Sequence, residues 1–455
     1  MMNVNDFEKS VTQPEYEQEQ VVRATELLER LFKRLHINIA IRLWNGHVLQ
    51  LGGLLESKLK VDSLEVKPTQ PAFTIICRSP YVVRQMVLGF DPLYFAEAYF
   101  IGDIDIEGDF FEAITLKDHL HAIYLPFKDK LCTFFSALKL EHNKLNTKDN
   151  ISFKRLKVKQ HSKTENQEAI GFHYDISNDF YALFLDENML YSCAYFEHAD
   201  NILEQAQVAK LDHICRKLLL KPGEHFLDIG CGWGALIIHA AKHYGVYAHG
   251  VTLSEQQFNY TRERIIKSGL EHLVTVELRD YRDMIGDADY DKIASIGMFE
   301  HVGLKNLALY FDTVYRLLKP AGLFLNHGIT HDVEGWHKTI STQFINRYIF
   351  PDGQLDTISN IQRRMEHAKF EIADVESLRS HYAITLRHWV ARLEYNHFQA
   401  LQYVSEATYR IWRLYMASSA LEFERGDIGI YQVLACKRDL GLAKLPLTRR
   451  HLYPV

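Results

Sequence analysis

The stretch Phe226-Leu-Asp-Ile-Gly-Cys-Gly-Trp-Gly-Ala235 constrains this chain more than any other. An apolar run of strand length enters three glycines at alternate positions and leaves into an amphipathic run, Ala235 to His243. That succession reads as the first strand, turn and helix of a doubly wound α/β domain. Asp228 closes the strand, and Gly230, Gly232 and Gly234 form a turn in which backbone can approach a ligand with no side chain between. A nucleotide-containing ligand is expected there. Tight strand-to-helix turns also occur for structural reasons alone, so spacing and surroundings have to decide.

The spacing departs from the dinucleotide fingerprint, which is G-x-G-x-x-G with an acidic residue about twenty positions on. Here the glycines run G-x-G-x-G and the second strand ends in Val251-Thr-Leu-Ser254. This pattern resembles that of S-adenosylmethionine (SAM) methyltransferases, in which the turn borders the methionine part of the cofactor. The acidic residue usual at the end of the second strand is replaced by Thr252, followed by Glu255, Gln256 and Gln257.

A chain of 455 residues that is 47% apolar suits two or three domains with full cores. The polar, acidic N-terminus shows no secretory signal, and no apolar run of about eighteen residues offers a membrane span. A cytoplasmic location is expected. Cys77, Cys132, Cys193, Cys215, Cys231 and Cys436 are scattered without a C-x-x-C pair, which argues against a zinc site or a disulfide framework. The formal net charge of -6 disfavours nucleic acid and anionic lipid in general, so any such contact needs a local patch. Two basic clusters qualify: Lys154, Arg155, Lys157, Lys159 and Lys163 before His173, and Lys437, Arg438, Lys444, Arg449 and Arg450 at the C-terminus. On residues alone they read as a solvated linker and a solvated tail rather than as a contact patch.

From the start of the chain, Val21, Val22, Ala24, Leu27, Leu28, Leu31, Phe32 and Leu35 recur at helical spacing. Ile37, Ile39, Ile41 and Leu43 then alternate toward Asn45-Gly46, which predicts a two-residue hairpin turn returning through Val48 to Leu51. Strands at Phe73 to Cys77 and Ile104 to Gly108, with a helix at Tyr81 to Leu88, complete a small α+β domain over 1–140. Residues 141–171 are rich in Lys, Asn, Gln and Ser and read as a linker. Beyond it, residues 172–455 form the second domain. The helix Leu203 to Leu220 precedes the glycine turn, and strands near Val246, Val274, Lys292 and Leu323 alternate with helices Ser254 to Ser268 and Asn306 to Leu318, which implies a mainly parallel sheet. Strands return only at Phe370 to Val375 and Ile428 to Cys436, and the intervening helices read as a cap over the cofactor crevice.

Several motifs agree in order and spacing with one family. They are Phe172-His-Tyr-Asp-Ile-Ser-Asn178, Met189-Leu-Tyr-Ser-Cys-Ala-Tyr195, the glycine turn, Gly250-Val-Thr-Leu-Ser254, Asp280-Tyr-Arg-Asp283, Gly297-Met-Phe-Glu-His-Val-Gly303 and Tyr348-Ile-Phe-Pro351. The chain resembles the cyclopropane-fatty-acyl-phospholipid synthases, of the cyclopropane and mycolic acid synthase family, over about Phe172 to Cys436. The N-terminal part matches more loosely, through Ala96-Glu-Ala-Tyr99 and Gly102, as the small lipid-associating domain such synthases carry. The resemblance implies a class I SAM-methyltransferase fold, Rossmann-like, acting at the inner face of a phospholipid membrane as a peripheral protein. Nucleic acid is not expected as a partner, and a homodimer is left open.

The implied reaction moves the SAM methyl carbon onto a cis double bond of a phospholipid acyl chain. The resulting carbocation loses a methyl proton and closes to a ring. The cation needs apolar and aromatic walls, and a base must reach the proton. In the family that base is thought to be bicarbonate; the matching positions are Cys193 and Ile329, through backbone amides, with the side chains of Glu300, His327 and Tyr382. Taken singly, Glu300 with His301 reads as a helix cap at a strand end, His327 and Tyr382 as core residues, and Cys193 as a small buried hydrophobe. For SAM, the family correspondence adds Tyr191, Ser192, Asp228, Gly230, Gly232, Thr252, Gln257, Tyr281 and Arg282, whereas Trp233 suits packing as well as binding.

Where many relatives carry a cysteine, this chain has Ser419 with no base beside it in sequence, which excludes thiol catalysis there. Two other readings stand beside ring formation. A simple SAM-dependent methyltransferase would methylate a lipid alkene or amine, and a non-catalytic lipid-binding protein would fail to bind SAM.

Overall fold

A computed structural model describes residues 13–32, 38–51, 70–89, 92–120, 127–141, 177–351, 353–441 and 445–453. The basic cluster before His173, most of the linker, residues 172–176 of the first family motif, Leu35, Ile37 and Lys444 lie outside the described residues. The chain divides into two compact units, residues 1–154 with 406–411, and residues 155–405 with 412–455. Among the described residues no helix is long and apolar enough to cross a membrane.

In the first unit, helix α1 (Gln13–Phe32) buries Val21, Ala24, Leu27, Leu28, Leu31 and Phe32 along one stripe. Val22, read from its spacing as part of that stripe, is 47% exposed because it sits about a quarter turn away from it. A four-stranded sheet runs β2 (Val48–Leu51), β1 (Ile39–Arg42), β3 (Phe73–Cys77), β4 (Ile104–Gly108). Helices α2 (Pro80–Gly89), α3 (Pro92–Phe100), α4 (Phe110–Leu120) and α5 (Phe127–Leu138) accompany it.

The hairpin differs from its expectation. The Leu43 N–H donates to the His47 carbonyl at 2.8 Å and Gly46 N–H to Leu43 at 2.9 Å, so the loop holds three residues, Trp44 to Gly46. A two-residue type I′ turn needs positive φ at both Asn45 and Gly46, and only Gly46 has it, at 87°.

The second unit is built on a seven-stranded sheet in the order β10-β11-β9-β8-β5-β6-β7. Strands β5 (His225–Ile229), β6 (Tyr247–Thr252), β7 (Val274–Leu278), β8 (Tyr290–Ile296) and β9 (Leu318–His331) are mutually parallel. Beyond β9, β11 (Ile428–Cys436) runs antiparallel to it, and β10 (Glu371–Ser377), at the edge, is antiparallel to β11. Side chains alternate between two cores. Phe226, Leu323 and Leu325 join Leu211, Ile214 and Ile237 on one face, while Leu227, Ile229 and Phe324 join Phe311 and Val314 on the other. A short helix, α6 (Asn178–Ala182), comes first in this unit. Helices α7 (Leu203–Lys217) and α8 (Ala235–Tyr244) then cover the first face, with α9 (Glu255–Lys267) against the β6 and β7 end and α10 (Leu307–Leu317) on the second face.

Helix α11 (Ile340–Tyr348) follows β9. Of the helices read as a cap, α12 (Ile358–His367) flanks the sheet instead, burying Ile361 and Met365 beside α10. Helices α13 (Arg379–Tyr395) and α15 (Glu406–Arg425), separated by the short α14 (His397–Ala400), carry Tyr382, Trp389, Trp412, Tyr415 and Phe423. The first residues of α15, Glu406–Ile411, group with the first unit.

Candidate active site

Parallel strands place their carboxyl ends on one edge, and the glycine turn after β5, Thr252 at the end of β6 and Gly297 after β8 meet there. The crevice at this edge is lined by Tyr191, Ser192, Asp228, Gly230, Gly232, Thr252, Gln257, Tyr281 and Arg282. The cofactor residues read from the sequence are thus gathered in one place from the ends of β5, β6 and β7 and the loop before α7.

The turn has a specific geometry. Gly232 has φ 53° and nothing lies within 4 Å of where a Cβ would stand, whereas a Cβ on Gly234 would meet the Thr261 methyl at 2.4 Å. Gly232 therefore keeps the crevice open, and Gly234 lets α9 pack against the turn. Arg264 of α9 ties the two walls together, donating to the carbonyls of Asn188 at 3.0 Å and Trp233 at 3.2 Å. On the facing wall, Met189 holds a left-handed φ of 58°. That strained backbone is secured by the Asp186 carboxylate, which accepts from Asn188 and Leu190 N–H at 3.0 and 2.8 Å.

Electrostatics single out Asp228. Burial lifts its carboxyl to about pH 7 against the opposing pull of Lys210, and its Oδ1 has no partner among the described residues. A buried acceptor left open at a ligand crevice fits a positively charged ligand group. Thr252 donates to Gln257 Oε1 at 2.9 Å, while Arg282 is held by Asp280 at 2.6 Å and also lies over the Tyr281 ring, 5.8 Å from its centroid. Trp233 both packs and lines the crevice: it is buried against Tyr181, with ring centroids 5.1 Å apart, and its indole N–H donates to Asn178 at 2.8 Å.

The residues assigned to the base lie outside that lining and are linked to one another. Glu300 Oε1 accepts from the Ile329 N–H at 2.8 Å, and His327 is two residues earlier on the same face of β9. Ile329 pairs with Ile430 in the sheet, and the Ile430 carbonyl accepts from Leu378. The Leu378 carbonyl in turn accepts from Tyr382 N–H at 3.0 Å and faces Cys193 Sγ at 3.7 Å. Burial lifts the Glu300 carboxyl to about 7 and drives the His327 imidazole well below its ordinary range, so that it is neutral; nearby Lys210 and Lys217 add to this. Glu300 Oε2 and His327 Nε2 have no partner among the described residues. The Cys193 thiol is buried and its pKa is raised by burial, so it is inert as a nucleophile.

An aromatic layer joins the two groups. Tyr191 stacks on Trp389 at 5.2 Å, Trp389 meets Tyr382 at 6.0 Å, and Tyr382 meets Phe423 at 4.8 Å. Sequence reasoning missed Lys210, Asp186 and Arg264, which stand in helices and a loop with no motif around them. His301, noted only beside Glu300, also lines the crevice, and burial lowers its imidazole to about 4.

Residues 161–433 match the model of the mycolic acid cyclopropane synthetase family. The chain belongs to that family. A probable fatty acid methyltransferase of Pseudomonas putida is 39% identical over 92% of this chain and 97% of its own length. The cyclopropane-fatty-acyl-phospholipid synthase of Escherichia coli K12 is 42% identical over 58% of this chain and 66% of its own. Among solved structures, the cyclopropane synthase MmaA2 of Mycobacterium tuberculosis superposes with a TM-score of 0.57 at 35% identity, covering 60% of this chain and 98% of that one. The mycolic acid cyclopropane synthase CmaA1, complexed with S-adenosylhomocysteine (SAH), gives 0.57 at 36% identity, with the same coverage. Coclaurine N-methyltransferase, at 22% identity and 0.58, shares the fold. The chain is a SAM-dependent transferase of the class I methyltransferase fold, which sets aside the non-catalytic reading.

Proposed function

We propose that this member of the family converts the cis double bond of a phospholipid acyl chain into a cyclopropane ring. The observation that carries the proposal is that two buried polar atoms, Glu300 Oε2 and His327 Nε2, have no partner among the described residues and are tied through the backbone of Ile329, Ile430 and Leu378 to Tyr382, whose aromatic neighbours reach the cofactor crevice. SAM supplies the methyl carbon. The faces of Tyr382, Trp389 and Tyr191 exclude water from the carbocation and stabilise it by cation-π attraction.

Glu300, His327 and Tyr382 fit a bicarbonate ion, which would accept the ring-closing proton. A neutral imidazole offers one N–H, a phenol offers one O–H, and a carboxyl group with a pKa near 7 can accept or donate. The Ile329 N–H fixes one Glu300 oxygen and leaves the other for the ligand.

A second reading has one observation in its favour, the near full-length match to a relative named a probable fatty acid methyltransferase. The two reactions share their first step and differ in the proton lost. Mass spectrometry of lipids from cells expressing the protein separates them. Ring formation is expected to add one CH2 to an unsaturated chain and make it resistant to ozone, whereas an ozone-cleavable product would establish methylation of the alkene instead.

Docking at a phospholipid surface is supported by α5, where Leu131, Phe134, Phe135 and Leu138 recur at helical spacing and all stay exposed, Phe135 at 59%. The C-terminal basic cluster offers less. Lys437 donates to the Tyr315 and Leu318 carbonyls, Arg449 pairs with Asp374, and Arg438 lies 3.6 Å from Glu371. Replacing Phe134 and Phe135 together by Glu is expected to weaken vesicle binding at least about tenfold while leaving SAM affinity unchanged. Unchanged vesicle binding would remove α5 from the proposal. Binding to anionic vesicles should also weaken with added salt, and salt-independent binding would assign the anchor to apolar insertion alone.

A further inference from the structure

Lys210, on α7, is 1% exposed, lines the cofactor crevice, and donates from Nζ to Ser192 Oγ at 2.8 Å. A buried ammonium is costly unless opposite charge stands near it. Two carboxylates do so, Asp186 and Asp228. Asp186 is engaged by the backbone of Asn188 and Leu190, but Asp228 Oδ1 has no partner among the described residues.

The donor inventory then decides what this corner can hold. An ammonium has three protons and no lone pair, so Ser192 Oγ is the acceptor in its bond with Lys210. The hydroxyl proton of Ser192 is left for another acceptor. Lys210 and Ser192 thus present two donors to the crevice and Asp228 presents one acceptor, the complement of an α-amino acid zwitterion. SAM ends in that group, while Thr252, Gln257 and Tyr281 stand at other strand ends along the same crevice.

We propose that Lys210, acting with Ser192, binds the α-carboxylate of SAM and selects ligands that carry it over their decarboxylated forms. The proposal rests on the crevice being the SAM site. Burial lowers the Lys210 ammonium only to about 8, so it keeps its charge at neutral pH.

The test is calorimetric titration of the full chain with SAM, SAH and decarboxylated SAM, which keeps the adenosine, sulfonium and amine but lacks the carboxylate. Wild type is expected to bind SAM at least about tenfold more tightly than decarboxylated SAM. Lys210→Met should weaken SAM and SAH by at least about tenfold and change decarboxylated SAM by less than about threefold, so that discrimination collapses. Wild type without discrimination, or a variant that weakens all three ligands equally, would overturn the proposal, the latter by showing a structural role. The wild-type comparison needs no variant, so it decides even if Lys210→Met fails to fold. Ser192→Ala, expected to lose part of the same discrimination, is the second arm. Failure of wild type to bind either sulfonium would instead overturn the cofactor site itself.

Discussion

Glu300→Gln is expected to lower turnover about a hundredfold or more while leaving SAM affinity close to wild type. The separation follows from geometry: Glu300 is tied to the Ile329 N–H on β9 and is not among the residues lining the cofactor crevice. Glutamine nearly keeps the shape and the acceptor for Ile329, but it neither takes up nor gives up a proton near neutrality. Rigorous removal of carbon dioxide should slow the wild-type enzyme, with recovery on adding bicarbonate, whereas a side-chain base would be indifferent. Unchanged ring formation by Glu300→Gln would sink the proposed base site.

The same substitution carries a stability signature of known sign. The native carboxyl titrates near 7, above its ordinary 4.5, so the folded state binds this proton more tightly than the unfolded chain does. The stabilisation is fully present below the ordinary value and is lost as pH rises through about 7. Glutamine has no such proton to lose. The melting temperature of the variant relative to wild type should therefore climb between about pH 5 and pH 8, and a flat difference would mean that Glu300 is not held protonated.

Gly232→Val is expected to abolish SAM binding in a protein that still folds. Its φ of 53° disfavours a β-branched residue, and the new side chain would project where no protein atom lies within 4 Å, which at this turn is the crevice itself. Gly234→Ala is the contrasting control. Its Cβ would strike Thr261 at 2.4 Å, so the loss should appear as lowered melting temperature through disturbed packing of α9. Undiminished SAM affinity in folded Gly232→Val would remove the assignment of the crevice.

Much of the second unit was legible because its signals are local. The apolar run, glycine turn and amphipathic run of residues 226–243 correspond to β5, the turn and α8, and Ser254 and Ser268 stand at the two ends of α9. Ser254 accepts from Gln257 N–H at 3.3 Å, a capping pattern whose partners lie within one turn of helix. The hairpin at Asn45-Gly46 was legible as a hairpin but not in its loop length, because that depends on which backbone groups pair across it.

What the sequence by itself determined was the parallel α/β class, the place of the crevice at the strand ends, and the identity of the residues that motifs mark. Period and turn chemistry act over a few residues and survive any change of tertiary context. Only the tertiary structure decided that α12 flanks the sheet, that Cys193 and Tyr382 meet through Leu378, and that Lys210 bonds Ser192 within the electrostatic reach of Asp228. These relations join residues far apart in the chain, and their charge states follow from burial, which a residue acquires only when distant segments exclude water from it.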